Sequence, residues 1–282
     1  MTTASFTAAT TPMSSPTLDD VTVLIPVFNA QHDLDRTLAS FCERAPVRVL
    51  IVDDGSLPPI VAASSGANLT NLTIEVLRMP RNGGIEQALQ TGVAALAERG
   101  VKYAARIDAG DLATPYRLEK QRTYMEAHPQ TAALGMWTHV VSTAGAPLFD
   151  LRPPTEPTAI RRLMLLRSCF SHPTIMLRVT AVIDAGNYRA EYRAAEDLDL
   201  FLRLMQRHDC ANLPEFGVYY ELNEHGISAT KRRTQILSTL RLQLKYMCLT
   251  NPPDWLGVAK NIAHLMLPYG ALRALKTRLF HP

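Results

Sequence analysis

The chain has 282 residues, 47% of them hydrophobic, which is enough for one large α/β domain or two small ones and excludes a mainly disordered chain. Its 29 basic and 26 acidic residues leave a net charge of only +3, which is not the basic footprint of a nucleic-acid-binding protein, so we expect no nucleic-acid partner. The four cysteines form no C-x-x-C pair and no cluster with zinc-ligand spacing, so we expect reduced, mostly buried thiols in a cytoplasmic protein.

The amino-terminal segment is rich in Thr, Ser, Ala and Pro, and no Lys or Arg precedes Arg36. A secretory signal needs a basic start and an apolar centre, so this segment is not one, and we predict a disordered leader over residues 1–19. No run of eighteen apolar residues occurs, which argues against a membrane-spanning helix and favours a soluble or peripheral protein.

From residue 20, short β-branched runs alternate with longer segments of helical periodicity. This alternation predicts an α/β fold with a mostly parallel central sheet flanked by helices. The first half is predicted to contain strands over 21–28, 47–52, 72–79 and 102–107 and helices over 33–44, 84–99 and 115–128, followed by an apolar stretch over 131–143.

Three prolines, Pro153, Pro154 and Pro157, suggest a boundary between a donor half over about 20–150 and an acceptor half over 151–230, although this loop could also cross one continuous sheet. A C-terminal helical segment over 231–282 follows, with breaks at 251–253 and near Pro268. In the second half, the pattern predicts helices over 159–168 and 195–208 and strands over 174–178 and 216–222.

Polar clusters follow three of the predicted strands, at residues 26–29, 53–56 and 108–111. Any one of them is typical of an ordinary turn, but three together favour the ligand crevice at the carboxyl ends of an open sheet. The first cluster lacks the glycines of a dinucleotide-binding turn. Asp108 and Asp111 suggest instead that a divalent cation neutralises a bound diphosphate.

A fourth cluster, Glu196-Asp197 with Asp199 nearby, begins a predicted helix. Acidic residues at this position complement the helix dipole, which explains them without any function. A carboxylate held there can also serve as a general base toward an acceptor hydroxyl. Both interpretations stay open from the sequence.

Five segments in this order, VTVLIPVFNA, VLIVDDGS, RNGGIEQALQTG, ARIDAGDLATPYRLEKQ and AEDLDLFLRL, resemble the family 2 glycosyltransferases of bacterial surface-polysaccharide assembly. The resemblance covers about residues 20–225 and implies the GT-A nucleotide-diphospho-sugar transferase fold, with a catalytic domain over 20–230 and the C-terminal helical extension. It also implies an inverting hexosyl or related transfer from a nucleotide-diphosphate sugar, a UDP-sugar in our expectation, to a glycan or lipid-linked acceptor in polysaccharide or lipopolysaccharide biosynthesis.

The resemblance assigns roles to residues of this chain. It implies that Asp197 is the catalytic base with Glu196 beside it, and that Asp108 and Asp111 hold Mn²⁺ or Mg²⁺. Gly110 stands where close relatives have a carboxylate, so cationic side chains such as Arg106 or Arg117 could take over part of the metal's role. The implied nucleotide-sugar contacts are Pro26, Val27, Asn29, Asp53, Asp54, Arg81 and Asp108.

Weaker signals carry a functional and an ordinary interpretation side by side. His172 and His225 could contact substrate or simply belong to polar turns. Trp137 and Tyr192 could stack on a sugar but are more typical of core aromatics. The stretch 255–280 has the composition of a basic amphipathic helix, which either contacts the inner face of the cytoplasmic membrane or packs on the domain.

Two other functions stay open at this stage. A sugar-nucleotide-binding protein without catalysis is compatible with Gly110. A sugar-1-phosphate nucleotidyltransferase is less compatible, because that class needs a glycine-rich basic loop after the first strand, and residues 26–33 contain no glycine and no Lys or Arg.

Overall fold

Strands and helices alternate through the first half of the protein, as the periodicity predicts. The computed structural model describes residues 17–62, 69–222 and 232–266. Its first elements are β1 (Val21–Val27), α1 (Gln31–Ala39), β2 (Val47–Asp53), β3 (Leu72–Arg78), α2 (Ile85–Glu98), β4 (Tyr103–Arg106), β5 (Leu112–Ala113) and α3 (Arg117–Ala127).

The second half adds longer strands and most of the helices that cover one side of the sheet. A short 3₁₀ helix (His172–Thr174) precedes its third strand. The elements are β6 (Thr131–Val141), β7 (Pro147–Leu151), α4 (Pro157–Leu163), β8 (Met176–Arg178), α5 (Val179–Asp184), α6 (Glu196–Leu204), β9 (Asp209–Glu221), α7 (Arg232–Tyr246) and α8 (Pro252–Met266).

All nine strands of the described residues join one sheet in the order β3-β2-β1-β4-β8-β6-β9-β5, with β7 paired to β6. Strands β3, β2, β1 and β4 are parallel, whereas β8 runs antiparallel to both β4 and β6. The proline-rich loop at 153–157 joins β7 to α4, and the strands before and after it belong to this one sheet. The division into a donor half and an acceptor half stays a prediction.

The core lies on both faces of this sheet. Leu24 packs with the cluster under α2, whereas its neighbours Val23 and Ile25 pack with the cluster under α1. Successive side chains of a strand point to opposite faces, so a strand covered on both sides reads as a continuous apolar run. This is why the β1 and β2 segments show no polar alternation.

Several predicted boundaries differ from the structure for local reasons. Strand β9 begins at Asp209, seven residues before the predicted start, because it pairs in parallel with β6 along most of its length. Helix α3 begins only at Arg117, because Tyr116 adopts a left-handed φ of 58°. Leu18, predicted in the leader, is buried in the core. Residues 1–16 and 267–282 lie outside the described residues, so the rest of the leader and the predicted break near Pro268 are not addressed.

All four cysteines are free thiols, as expected, but only Cys169 and Cys210 are buried, whereas Cys42 and Cys248 are exposed. The expectation of mostly buried thiols is therefore right for half of them. Across the described ranges, none of the helices combines the length and the apolar character that crossing a bilayer requires.

Helices α7 and α8 are tied to the segment that follows α4. The Gln243 side-chain amide donates to the Leu165 carbonyl oxygen at 2.6 Å, and Asn261 donates to Gln243 Oε1 at 3.1 Å. Gly257 of α8 approaches the same Leu165 oxygen so closely that a Cβ atom would overlap it. A backbone oxygen cannot turn away as a side chain can, so this contact fixes the position of α8.

We predict that Gly257→Ala pushes α8 away from Leu165 and lowers the free energy of unfolding by about 1–3 kcal/mol, the range for overpacked sites. Urea denaturation measures the change. Ala259→Ser, on the exposed side of α8, is the control and should stay within about 0.5 kcal/mol of the parent. Equal midpoints for Gly257→Ala and the parent would show that α8 is not fixed by this contact.

Candidate functional site

The carboxyl end of β2 carries two aspartates whose oxygens organise the loops around them. Asp53 is fully buried and accepts hydrogen bonds from Ser56 N at 2.8 Å, Ile60 N at 3.2 Å and Arg78 Nη1 at 2.7 Å. Burial works to raise the pKa of Asp53, but these hydrogen bonds and the Arg78 charge outweigh it and lower the pKa. Asp53 is therefore an ionised carboxylate that shapes the loop after β2.

Asp54 joins the β2 end to the loop before α2. Its two oxygens accept from Gly83 N at 2.6 Å and Gly84 N at 2.9 Å. Burial raises the pKa of Asp54, and those two bonds oppose the rise. Gly55, with φ of +75°, lies so near the backbone of Arg81 that a side chain would collide with it. The predicted nucleotide contact Arg81 is itself exposed.

The β1 end meets the same loop. Asn29 has a left-handed backbone conformation with φ of 52°. Its backbone N–H donates to Ser56 Oγ at 2.9 Å, and its side-chain Oδ1 accepts from Leu57 N at 2.8 Å. Pro26 is half-buried and Val27 is buried, and the Val27 carbonyl accepts from Asp54 N at 2.8 Å. The predicted nucleotide-binding residues of β1 and β2 therefore meet, as expected for the carboxyl ends of parallel neighbours.

The loop after β4 brings two further predicted residues next to a buried arginine. Arg106 is only 3% exposed and forms an ion pair with Asp108, while its Nε and Nη1 atoms have no hydrogen-bond partner in the described structure. Asp111 is buried, accepts from Glu221 N at 3.3 Å and leaves Oδ2 without a partner. Burial and the nearby charge of Asp108 raise the pKa of Asp111 well above its usual value.

Helix α1 holds this loop in place. The Thr37 hydroxyl accepts from Gly110 N at 2.9 Å and donates to the Asp111 carbonyl at 2.8 Å. Gly110 has φ of +107°, which a side-chain-bearing residue adopts only with strain, although its nearest neighbour, Asp33, leaves room for a Cβ atom. The backbone conformation therefore gives a local reason for glycine at this position.

The first turn of α6 presents Glu196 and Asp197 to the same region. Asp197 is half-buried, and its Oδ1 accepts from Leu198 N at 2.7 Å. Burial raises the pKa of Asp197. Burial, together with the charge of Asp197, raises the pKa of Glu196 to about 8, and the buried Glu196 Oε2 has no hydrogen-bond partner in the part of the chain that the structure describes. A carboxyl group with this pKa is mostly protonated at neutral pH.

Asp199, the third acidic residue of this turn, has a structural role. It is fully buried and bonded to Arg189 at 3.1 Å and to Arg203 at 2.7 Å. Arg203 also donates to the Asn187 carbonyl at 2.7 Å. Because Asn187 and Arg189 lie in the loop after α5, Asp199 is bound on the side of α6 that faces this loop. The structure thus separates Asp197, whose hydrogen bonds within the described residues come from backbone N–H groups, from Asp199, whose carboxylate is held by two arginines.

Electrostatic effects connect the β4 loop with α6. The Arg106 charge opposes the rise in the pKa of Asp111, of Glu196 and of Asp197, and the Asp108 charge adds to the rise at Asp197. The structure therefore brings together Arg106, Asp108, Asp111, Glu196 and Asp197, which we call the Arg106 cluster. Sequence reasoning named all five residues but not the burial of Arg106 among the carboxylates.

His172 lies beside this cluster. Its Nε2 is 2.9 Å from the hydroxyl of Tyr188, and burial together with the Arg106 charge lowers the pKa of His172 well below its usual value, so the ring is neutral. His225 lies outside the described residues. Trp137 donates to the Pro153 carbonyl at 3.2 Å and Tyr192 is buried, which agrees with the ordinary interpretation of both aromatics.

Sequence reasoning missed three residues that position the site: Thr37, Tyr188 and Glu86. Glu86 of α2 accepts from Ala194 N at 3.2 Å, and Ala194 has a left-handed φ of 57° just before α6. Glu86 lies two residues after the RNGG residues, inside the segment RNGGIEQALQTG, and its place at a helix start was the signal available in the sequence. Thr37 and Tyr188 belong to no sequence pattern that indicates a function.

Comparison with known proteins identifies the family. The profile described as "Glycosyl transferase family 2" matches residues 22–184, more than half of the chain. The chain belongs to glycosyl transferase family 2. Among curated family 2 relatives, the amylovoran biosynthesis glycosyltransferase AmsE of Erwinia amylovora is 28% identical over 198 residues, which are 68% of this chain and 73% of AmsE.

Solved structures show that this family 2 chain has the GT-A fold. S. aureus TarS 1–349, solved with UDP-GlcNAc, superimposes on this chain with a TM-score of 0.59 at 15% identity. The superposition covers 89% of this chain and 77% of the TarS chain. The mannosyltransferase PcManGT from Pyrobaculum calidifontis, solved with GDP-Man and Mn²⁺, has a TM-score of 0.57 at 15% identity and covers 92% of this chain and 79% of its own. The predicted fold is confirmed.

Two carboxylates of this family 2 site, Asp108 and Asp111, are the groups that would hold a divalent cation. The buried Oδ2 of Asp111, which has no hydrogen-bond partner among the described residues, is the atom that a cation would satisfy, whereas the Asp108 carboxylate already pairs with Arg106. Within the described ranges, no group of three His, Cys, Asp or Glu residues forms a complete ligand set. A bound cation would therefore take its other ligands from the substrate and from water.

We predict that Glu196→Gln removes a pH dependence of stability. Native Glu196 keeps its proton up to a pKa of about 8, whereas the unfolded side chain loses it near 4.5, so the native state loses stability as pH rises between these values. Between pH 5 and pH 8, the free energy of unfolding of the parent should fall relative to that of Glu196→Gln by at least about 1 kcal/mol. Urea denaturation at both pH values measures this.

The exposed Glu191, in the loop before α6, provides the control. Glu191→Gln should follow the parent across the pH range. Parallel curves for the parent and Glu196→Gln would show that Glu196 is ionised in the native protein.

Proposed function

We propose that this protein is an inverting glycosyltransferase that moves a sugar from a UDP-sugar to a glycan or lipid-linked acceptor in bacterial surface-polysaccharide biosynthesis. The observation that carries the proposal is the carboxylate of Asp197, held at the start of α6 by backbone N–H groups, within the same charged cluster as Asp108 and Arg106. The AmsE name and the UDP-GlcNAc bound to TarS support the reaction class and the donor class.

Asp197 is suited to act as the general base. The Leu198 N–H holds its Oδ1 and orients the carboxylate, and burial raises its pKa toward the value at which a base accepts a proton well at neutral pH. Glu196 is already protonated, so it does not compete for the proton of the acceptor hydroxyl. A base on one side of the sugar and a diphosphate leaving on the other give a single displacement with inversion.

The nucleotide would lie at the ends of β1 and β2. Asp53 is fully buried and accepts from Ser56, Ile60 and Arg78, so it would act on the base through the loop that it shapes. Pro26, Val27 and Asn29 border the same loop, Asp54 fixes the turn that carries Arg81, and the exposed Arg81 guanidinium can reach a phosphate. UDP is our choice of nucleotide.

Asp108 and Asp111 would hold a Mn²⁺ or Mg²⁺ ion. When bound, the ion neutralises the charge that develops on the diphosphate leaving group. Arg106 contributes positive charge at the same place through its two unpartnered N–H groups. PcManGT, which was solved with Mn²⁺, supports this part of the proposal.

The C-terminal helix α8 has two distinct sides. Gly257 and Asn261 are buried against the domain, whereas Trp255, Leu256 and Met266 are between 51% and 79% exposed. The two interpretations of this helix are therefore compatible: one side packs on the domain, and the other presents an apolar surface that we propose contacts the membrane surface. The basic residues 273–278 lie outside the described residues.

A second function, binding of a sugar nucleotide without catalysis, is favoured by one observation. Arg106 pairs with Asp108, and Gly110 supplies no carboxylate, so the cation site is weaker than one with three carboxylates. Turnover by the parent protein decides between the two functions.

We predict that Asp197→Asn lowers glycosyl transfer at least about 100-fold, because the amide cannot accept the proton. UDP affinity, measured by calorimetry, should change less than twofold, since the substitution keeps the side-chain volume. Asp184→Asn, an exposed aspartate on α5, serves as the control and should leave both measurements unchanged. Transfer by Asp197→Asn at the parental rate would refute the assignment of the base.

We predict metal-dependent binding of UDP. Among UDP, GDP, CMP and dTDP, UDP should bind most tightly, and its affinity should fall at least tenfold when Mn²⁺ is replaced by EDTA. Asp111→Asn should remove most of this difference, because the amide keeps the shape but not the charge. Equal UDP affinity with Mn²⁺ and with EDTA in the parent would contradict the metal site.

A further inference from the structure

Helix α2 carries a buried carboxylate that lies between two parts of the candidate site. Glu86 is buried in the first turn of α2. Its Oε1 accepts a hydrogen bond at 3.2 Å from the backbone N–H of Ala194, which is 108 residues later in the chain. Its Oε2 lies so near Gly84 that a Cβ atom there would be only 2.9 Å away. Glu86 therefore contacts both the loop before α2 and the turn before α6.

The loop before α2 belongs to the predicted nucleotide site. Asp54 holds this loop by accepting from Gly83 N and Gly84 N. Gly84 is the last residue before α2, so the position of Glu86 follows from that of the Asp54 carboxylate. Burial raises the pKa of Asp54 and of Glu196, and the charge of Glu86 adds to both effects. The Glu86 carboxylate is thus close enough to both parts of the site to act on their charges.

The turn before α6 depends on the bond to Glu86. Ala194 has a left-handed φ of 57°, which a residue with a side chain keeps only where its surroundings hold it. Among the described residues, the Glu86 carboxylate is the partner of the Ala194 N–H. Ala195 is the N-cap of α6, and Asp197 follows two residues later in the first turn of that helix. A shift of Ala194 would therefore move the carboxylate of Asp197.

The rest of α6 is held by other contacts. Asp199 pairs with Arg203, which also donates to the Asn187 carbonyl at 2.7 Å. Asn187 in turn donates to the Gln90 carbonyl of α2 at 2.9 Å. Loss of the Glu86 bond should therefore loosen the first turn of α6 while the body of the helix stays in place.

The dipole of α2 does not by itself explain Glu86. An acidic residue in the first turn of a helix interacts favourably with the positive end of the dipole, and a carboxylate directed to solvent serves that purpose. Glu86 is instead buried and bonded to Ala194. Burying a carboxylate costs free energy, so its place between two loops of the site indicates a role for the bond itself.

We propose that Glu86 is a positioning residue for glycosyl transfer, which holds the turn carrying Asp197 at a fixed place relative to the loop that would bind the donor nucleotide. This inference rests on the proposed function, because it takes Asp197 as the base. Displacing a reacting group by about 1 Å can lower a rate about 100-fold. The bond from Ala194 to Glu86 should therefore affect the turnover number more than it affects donor binding.

Two conservative variants separate the length of the side chain from its charge. Glu86→Gln keeps an oxygen that can accept from Ala194 N but carries no charge, whereas Glu86→Asp keeps the charge and is one methylene too short. We expect Glu86→Asp to lower kcat at least about tenfold with the KM for the donor within about twofold of the parent, and Glu86→Gln to stay within about threefold of the parent in both. Glu98→Gln, an exposed glutamate at the other end of α2, is the control and should match the parent.

The activity measured is the release of UDP from UDP-glucose, UDP-galactose or UDP-N-acetylglucosamine, with Mn²⁺ present and water as the acceptor. The water oxygen forms the new bond to the anomeric carbon, and the bond from that carbon to the diphosphate oxygen breaks. Asp197 takes a proton of the water, and UDP leaves with the electron pair. Parental affinity for UDP, measured by calorimetry, shows that each variant is folded.

Amide hydrogen exchange followed by NMR gives a readout that needs no turnover. We expect the Ala194 N–H to exchange at least about tenfold faster in Glu86→Asp than in the parent, and at the parental rate in Glu86→Gln. The amide of Leu204, at the end of α6, should exchange at the same rate in all three proteins.

Three results would overturn the inference: a parental kcat in Glu86→Asp, equal losses in Glu86→Asp and Glu86→Gln, or Ala194 exchange that is the same in Glu86→Asp and the parent. With Asp197→Asn inactive, each of them leaves Asp197 in place as the base. Parental activity of Asp197→Asn, or a parent that releases UDP from none of the donors, would instead refute the proposed function and, with it, this role of Glu86.

Discussion

The charge balance around Arg106 is the constraint on which the candidate site depends. Burying an ion costs several kcal/mol unless a partner compensates it, and here the acidic groups at the ends of β4 and α6 share one nearly buried guanidinium. Arg106 is held in turn by its backbone, since Arg117 donates to the Arg106 carbonyl at 2.7 Å. Burial lowers the pKa of Arg117 itself to about 9. Arg106, at the end of β4, thus places positive charge where a diphosphate would bind.

The loops of the site are joined by hydrogen bonds between distant segments. Asp54 holds the turn before α2, Thr37 holds the loop after β4, and Glu86 holds the turn before α6. These bonds order the loops before a ligand arrives, so binding does not have to supply that ordering entropy. Asp54 and Asp53 therefore act first as organisers of the loops, and any contact with nucleotide is added to that role.

The sequence predicted the parallel half of the sheet because each strand there is a continuous apolar run with turn residues after it. It predicted Asp197 through the resemblance, but the pairing of the neighbouring Asp199 with Arg189 and Arg203 needed the fold, because no local pattern brings these side chains together. The length of β9 escaped prediction because its start, around Asp209, pairs with β6 across a register shift that no local pattern encodes. Arg106 was named, but its burial depends on long-range packing.

Asp197 divides the candidate site into two parts with different chemical demands. On one side, the Arg106 cluster supplies the positive charge and the carboxylates that a diphosphate and its cation require. On the other, a cavity of about 190 Å³ is lined by hydroxyl and amide groups of α7 and α8. The ends of β1, β2 and β4 lie within the region matched to the family, residues 22–184, whereas Asp197 and the two C-terminal helices lie beyond it. Glu86, inside that region, accepts from Ala194 N and so holds the turn before α6, which ties the position of the candidate base to the matched part of the fold.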